Sequence, residues 1–277
     1  MADELPHLEG LLQDRVIEVA DYQRPYAWGD HQLRDLWEDL DLLGDERHYA
    51  GTLVLKPKGQ SQRAMDGREL TVYEVVDGQQ RLTTCLILLD QLTRALRASV
   101  CGDPELADVV AEAVRDVSRL VRVNIGGVTQ PRIRLGAGLH EFFSRSVVGP
   151  DSVDKPTLVA GEARLLRAAQ FFEKELRDLG AGVTSDEHCR RLLTVRARVC
   201  YGLRFLVYYV ESSAEVGVLF ETLNDRGQQL SELEKVKNYL LYLSRQIPDQ
   251  MGRDLGERVN HAWSDIFSNL AVANLHR

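Results

Sequence analysis

A strand, a tight turn and a long helix follow one another within residues 71–97, and this unit constrains the fold most. Residues 71–76 are β-branched and aromatic enough to predict a buried strand, and Asp77 and Gly78 form a turn signal. A helix is predicted to begin near Gln79, because leucines recur at helical spacing at Leu82, Leu86, Leu89, Leu92 and Leu96. We therefore expect a helix that packs against a sheet.

The start of this helix has the properties of an anion-binding site. Its first backbone N–H groups lack partners within the helix, and the helix dipole adds partial positive charge there. Arg81 in the first turn opposes that dipole, and an anionic ligand would resolve the conflict. Gly78 permits close approach to the backbone, while Gln79 and Gln80 offer amide donors. The alternative is an ordinary strand-to-helix turn in which Arg81 pairs with a nearby carboxylate such as Asp77 or Glu74.

An aromatic segment near the start of the chain, YQRPYAW at residues 22–28, is a second candidate. Pro25 fixes its own φ and pushes Arg24 toward extended geometry, so the segment is predicted to be ordered and extended. Its candidate contact residues are Tyr22, Gln23, Arg24, Pro25, Tyr26 and Trp28. Such a segment either forms an aromatic latch over the core or stacks on a base or sugar while Arg24 reaches a phosphate.

The charge and the cysteines exclude several classes of protein. A net charge of −8 over 277 residues argues against a chain that coats nucleic acid non-specifically, so any nucleic-acid contact must be local. The four cysteines form no CxxC pair, so no zinc or other metal site is expected, and reduced thiols suit the cytoplasm. Neither a secretion signal nor a run of eighteen apolar residues is present, which predicts a cytoplasmic protein without membrane contact.

One locally basic stretch runs against the acidic balance of the chain. It consists of Arg190, Arg191, Arg196, Arg198 and Arg204. These side chains are the best candidates for contact with a polyanion. The alternative is that they form ion pairs with the abundant acids nearby.

The overall pattern predicts an α+β protein: a small mixed β-sheet with a large, mostly helical insert and a helical C-terminal part. Residues 49–56 supply a strand, residues 57–68 a polar loop, and the two strands that flank this loop are expected to be antiparallel neighbours. A hairpin is predicted from residues 121–125 and 132–135 around Gly126 and Gly127. We divide the chain into a core at 1–98, the insert at 99–200, a return to the core at 201–250, and a final helix at 251–277.

A loop near residue 225 is a third candidate site. Asn224 and Arg226 lie on a connector between two predicted helices, a common way to present side chains to a ligand, and Lys237 on the second helix adds a donor. A helix that ends at Gly227 needs no ligand, so this loop also has a purely structural interpretation.

Three segments in this order resemble a known family: YQRPYAW, then YEVVDGQQRLTT after a GTLVL strand, then FETLNDRGQQLSELEKVKNYLL. They are similar to the ParB-related N-terminal domain of modification-dependent restriction enzymes of the GmrSD type, including the SspE-like branch of phosphorothioate-sensing antiphage effectors. The resemblance covers roughly residues 10–245. It implies a ParB-like core, a nucleotide-hydrolysing sensor of modified double-stranded DNA, and a C-terminal nuclease domain after residue 277.

The resemblance also implies roles for individual residues. It assigns NTPase activity, with GTP favoured, to Asp77, Gly78, Gln79, Gln80 and Arg81. It places Tyr22, Gln23, Arg24 and Pro25 in the same functional region. No nuclease activity is expected from this chain alone, because His261 and His276 lack the surrounding nuclease motif.

Nucleotide hydrolysis fits these residues independently of the resemblance. Arg81, with Arg24 or Arg226, would neutralise the γ-phosphate, while Gln79 or Gln80 would orient the water. Asp77 would hold Mg²⁺ that accompanies the nucleotide, although a turn-forming aspartate is the plainer assignment. We expect a small apolar surface beside Arg24 to recognise the modified phosphate. Its members are Tyr22, Pro25, Tyr26 and Trp28. The alternatives are a non-enzymatic module that binds modified DNA and a ParB-like nuclease, and a homo-oligomer stays open.

Overall fold

The computed structural model describes residues 5–21, 23–43, 48–136, 138–149 and 157–211, together with positions 258 and 262. Its strands in chain order are β1 (Arg15–Val19), β2 (His48–Arg63), β3 (Glu69–Asp77), β4 (Arg122–Ile125), β5 (Val128–Pro131), β6 (Ile133–Arg134) and β7 (Leu203–Tyr209). Its α-helices are α1 (Leu8–Leu12), α2 (Asp30–Leu42), α3 (Gln79–Ala98), α4 (Pro104–Val121), α5 (His140–Phe142), α6 (Ala160–Asp178) and α7 (Ser185–Ala197). Two π-helical turns, Phe143–Val147 and Arg198–Gly202, extend α5 and α7.

The main sheet has the order β6-β1-β3-β2-β7 and is mixed. β1 runs parallel to both β3 and β6, β2 runs antiparallel to β3, and β7 lies parallel to β2. The predicted α+β class with a small mixed sheet is therefore confirmed, as is the antiparallel pairing of the two strands before α3.

The predicted polar loop at residues 57–68 is wrong for most of its length. β2 continues to Arg63, and Ser61, Gln62 and Arg63 still pair with β3. Their side chains are polar because this end of the strand is largely exposed, and backbone pairing does not require apolar side chains. Pro57 lies where the register shifts, so its missing N–H weakens the ladder little.

The predicted hairpin is present, but its second strand is β5 rather than residues 132–135. Gly126 and Gly127 both have positive φ, 59° and 84°, which closes the connection in two residues and starts the return strand at Val128. Ile133 and Arg134 form β6 instead, at the edge of the main sheet beside β1.

Helix α3 lies at the centre of the helical layer. It contacts α4, α6 and α7, and its leucines are almost fully buried. One continuous hydrophobic cluster joins the sheet, α3, α6 and α7. Residues from the predicted core and from the predicted insert therefore share one interior, while the proposed boundaries of 1–98, 99–200, 201–250 and 251–277 stay predictions.

Candidate functional site

The turn between β3 and α3 is closed tightly against β2, and only glycine fits it. Gly78 has φ +89°, and a Cβ there would lie 2.3 Å from Leu53 Cδ2 and 3.0 Å from the carbonyl oxygen of Thr52. The first intrahelical bond runs from the N–H of Leu82 to the carbonyl of Gly78. The N–H groups before Leu82 have no acceptor within the helix, so the mouth of α3 keeps the polarity that attracts an anion.

The two glutamines of the turn hold the segment at residues 23–28. Gln79 Nε2 donates to the carbonyl of Arg24 at 3.1 Å. Gln80 Nε2 donates to the carbonyl of Pro25 at 3.2 Å, and its Oε1 accepts from the Ala27 N–H at 2.7 Å. Gln80 is 7% exposed and both ends of its amide are satisfied. The DGQQR and YQRPYAW motifs are therefore one structural unit.

Further contacts attach the segment at residues 23–28 to the end of β3 and to α3. Gln23 Nε2 donates to the carbonyls of Val75 and Val76 at the end of β3. Tyr26 is 4% exposed, its hydroxyl lies 2.7 Å from Thr84 Oγ1, and burial raises its pKa. Tyr26 is thus a core residue here, which is the latch arrangement, and not part of an open surface for DNA.

The remaining members of the segment differ in exposure. Trp28 is half-buried against the core, and Pro25 is half-buried against Gly161 of α6. Arg24 is exposed, and its side chain has no hydrogen bond or ion pair to the residues that the structure describes. Tyr22 lies outside the described residues.

Arg81 lies on the β2 side of the mouth, over the backbone of Gly51. Gly51 has φ +116°, and a Cβ there would lie 2.2 Å from Arg81 Nη1 and 2.7 Å from Arg81 Cζ. Arg81 is half-buried, yet it forms no side-chain hydrogen bond or ion pair within the described ranges. The close pairing with Asp77 that the plainer interpretation requires is therefore not formed. Sequence reasoning missed Gly51, although a glycine inside a strand is a signal of close approach.

The charges of two arginines, Arg81 and Arg24, act on the carboxyl group of Asp77. Crowding by protein atoms raises the pKa of Asp77 by desolvation, although more than a third of its surface meets solvent. The N–H of Gly78 and the charges of Arg81 and Arg24 partly offset that rise. The mouth of α3 thus carries two arginines and one carboxylate whose charge is disfavoured, which leaves a positive balance.

A crevice lies on the side of α3 that faces β1 and β6. Its volume is about 250 Å³, including the space at its entrance that is open to solvent. Arg24, Gln79 and Gln80 line it together with Gly136 and Leu139. Its enclosed part is only large enough for a water-sized group. Arg81 does not line this crevice, so the structure places the predicted site residues on two sides of the helix mouth.

The predicted basic stretch is largely paired. Arg191 contacts Glu187 at 3.1 Å, Arg196 contacts Asp116 at 3.0 Å and Arg198 contacts Asp41 at 3.5 Å. Arg204 donates to the carbonyl of Leu5 and Arg190 is exposed. Ion pairing therefore accounts for most of these side chains.

The third candidate site, with Asn224, Arg226 and Lys237, lies outside the residues that the structure describes. Within the described residues, no group of three potential metal ligands occurs, and no helix combines the length and apolar character needed to cross a bilayer.

The fold and the site together define a class of protein. It is an α+β domain that presents two arginines beside the N-terminus of a helix. The family model of the GmrSD restriction endonuclease N-terminal domain matches residues 8–241, and the chain belongs to this family. It is therefore a restriction-enzyme-associated module. No curated protein matches the chain.

Proposed function

We propose that this domain binds and hydrolyses a nucleoside triphosphate, with GTP favoured, and that recognition of modified DNA controls this activity and an attached nuclease. The observation that supports it most is the position of Arg81. Its guanidinium packs against the backbone of Gly51 at the mouth of the helix, and it forms no ion pair within the described residues. Membership of a restriction-enzyme family supports the link to DNA.

In this proposal the triphosphate tail lies across the mouth of α3. The unpaired N–H groups of the first turn and the two flanking guanidinium groups, Arg81 and Arg24, neutralise its charge. An Mg²⁺ ion that arrives with the nucleotide would further neutralise the phosphates, and Asp77 would hold it, since such ions need one or two carboxylates besides the phosphates. Because the enclosed crevice is small, the nucleoside lies outside it.

The two glutamines then have different roles. Gln79 uses its Nε2 on Arg24, and its amide oxygen is the group that would orient water. Gln80 is a positioning residue, because both ends of its buried amide hold residues 25 and 27.

The same hydrogen bonds give DNA recognition a route to the nucleotide. Arg24, Pro25 and Trp28 are the described members of the nominated recognition surface that solvent reaches. A phosphorothioate or other modified group that shifts this segment would shift Gln79, since Gln79 holds the backbone of Arg24. Recognition of the modification would thereby change the geometry at the phosphates.

The test is hydrolysis of four nucleoside triphosphates by the 277-residue chain, alone and with phosphorothioated, glucosylated or plain duplex DNA. We expect Arg81→Ala to lower hydrolysis by about 10³-fold or more, the range for an arginine that stabilises phosphoryl transfer. Arg115→Ala, an exposed arginine on α4, is the matched control and should keep full activity. Circular dichroism verifies that both variants fold. Absence of binding and hydrolysis under every condition would refute the proposal.

A second candidate is a non-enzymatic module that binds modified DNA, and the small enclosed crevice favours it, since one phosphate oxygen fits where a nucleoside does not. DNA affinity would then fall steeply with salt, Arg81→Ala would reduce that slope, and nucleotide would change nothing. A third candidate, a ParB-like nuclease, requires metal-dependent nicking by this chain alone.

A further inference from the structure

Two cysteines that are 88 positions apart in the chain meet in the helical layer. Cys101 lies in the loop between α3 and α4, and Cys189 lies in α7. Their sulfur atoms are 2.7 Å apart, closer than two unbonded sulfur atoms ordinarily approach. Cys85 and Cys200, the other two cysteines, are buried and make no such sulfur contact. The spacing of the four cysteines in the sequence does not predict this contact.

The backbone around this pair is held in place by other contacts. The N–H of Gly102 donates to Asp186 Oδ1 at 2.7 Å, which fixes the loop to the first turn of α7. Asp103 caps α4 by accepting from the N–H of Glu105 at 3.0 Å. Helices α3 and α4 both pack on α7. The two sulfur atoms are therefore brought together by the fold itself, and bonding them requires little loss of chain entropy in the native state.

The two thiols differ in access and therefore in role. Cys101 is partly exposed, whereas Cys189 is 0% exposed, so a soluble oxidant meets Cys101 first. Burial, the Cys189 thiol, and the charges of Asp186 and Asp103 raise the pKa of Cys101 to about 11. Since the thiolate is the reactive form, the raised pKa slows the reaction of Cys101 with an oxidant at neutral pH. The site would respond to sustained rather than brief oxidation.

We propose that Cys101 and Cys189 are a thiol–disulfide modification site whose co-reactant is a peroxide. The Cys101 thiolate attacks a peroxide oxygen, the O–O bond breaks, and a sulfenic acid forms as the released hydroxide takes a proton to become water. The Cys189 sulfur then attacks the sulfenic sulfur, the S–O bond breaks, and hydroxide leaves with the Cys189 proton as water. Two thiols and one hydrogen peroxide thus yield one disulfide and two waters.

The disulfide would tie the loop that follows α3 to α7. It closes a loop of nearly ninety residues, and long closed loops restrict the unfolded chain most. We expect the oxidised chain to melt roughly 5–15 °C higher than the reduced chain, with dithiothreitol reversing the shift. This inference does not depend on nucleotide or DNA binding.

The experiment treats the folded 277-residue chain with hydrogen peroxide, counts free thiols in denaturant, and maps cross-linked peptides by mass spectrometry. The expected result is a fall from four free thiols to two, with residues 101 and 189 in one linked peptide pair. Cys101→Ser and Cys189→Ser should each abolish the link and the melting shift, while Cys200→Ala should keep both. If Cys189→Ser fails to fold, the partly exposed Cys101→Ser gives the same test.

Four outcomes would overturn the proposal. They are four free thiols after prolonged oxidation, a link that involves Cys85 or Cys200, a disulfide between two chains, and sulfinic acid at Cys101 without any link.

Discussion

Replacement of Gly51 by alanine should displace the Arg81 side chain from the mouth of α3 without replacing any residue that is proposed to contact a ligand. The new Cβ would lie 2.2 Å from Arg81 Nη1, whereas ordinary contacts begin at 3.4 Å. The guanidinium must therefore retreat by more than about 1 Å, a displacement that can lower catalysis about 10²-fold when it affects a catalytic group. We expect at least this loss of NTP hydrolysis in Gly51→Ala.

The same change should also lower stability. A residue other than glycine at positive φ costs of order 1–3 kcal/mol. The displacement of Arg81 adds little to this cost, because the atoms that clash are the free end of a flexible side chain. Gly67→Ala separates the two effects, because Gly67 has φ +89° and no atom lies within 4 Å of its added Cβ. Gly67→Ala should share the backbone strain and keep full activity.

Urea unfolding and NTP hydrolysis on four proteins complete the test: Gly51→Ala, Gly67→Ala, Arg81→Ala and the double variant of Gly51 and Arg81. Because Arg81→Ala removes the side chain that Gly51→Ala displaces, the double variant should be no less active than Arg81→Ala. The reasoning is refuted if Gly51→Ala matches Gly67→Ala in activity, or if the double variant is clearly less active than Arg81→Ala.

Three further changes test the hydrogen bonds and charges of the same region. Gln80→Ala should lower the free energy of unfolding by about 2–4 kcal/mol, because it removes a buried side chain and leaves the half-buried carbonyl of Pro25 and N–H of Ala27 without their partner. Gln79→Ala should cost about 1 kcal/mol or less, and equal losses in urea unfolding would contradict this. Tyr26→Phe removes the hydroxyl contact with Thr84 and should lower the free energy of unfolding by about 1 kcal/mol, while any discrimination between modified and plain DNA stays unchanged. A loss of discrimination would show that Tyr26 acts on the ligand. Because desolvation raises the pKa of Asp77, its contribution to stability is present below the ordinary carboxyl range and is lost as pH rises through the raised pKa. Asp77→Asn should therefore gain stability relative to the parent as pH rises above about 4, and stability curves of the two proteins that run parallel with pH would exclude it.

Local pattern was enough to predict the class of fold and the strand, turn and helix that carry the candidate site residues. The leucine spacing of α3 and the β-branched run before it follow from periods of 3.6 and 2, which the sequence displays directly. The end of β2 was missed because its side chains carry no apolar alternation, and its pairing depends on a partner strand rather than on local composition.

The separate roles of the residues within the candidate site could not be predicted. DGQQR was recognised as one motif, but whether Gln80 faces a ligand or the backbone of Ala27 depends on a segment more than fifty residues away. The same holds for Tyr26 and Thr84, and for Arg81 and Gly51. Such long-range placements are set by packing, which composition and spacing do not encode.

The burial of α3 along most of its length determines where ligand binding will be visible. Its residues from Leu82 to Thr93 are nearly all enclosed, so their amide hydrogens should exchange with deuterium only when the whole domain opens. The segment at residues 23–28, which rests on α3 through a few side-chain hydrogen bonds, should open far more often. A nucleotide or DNA that binds here should therefore slow deuterium uptake in that segment and leave the helix beneath it unchanged.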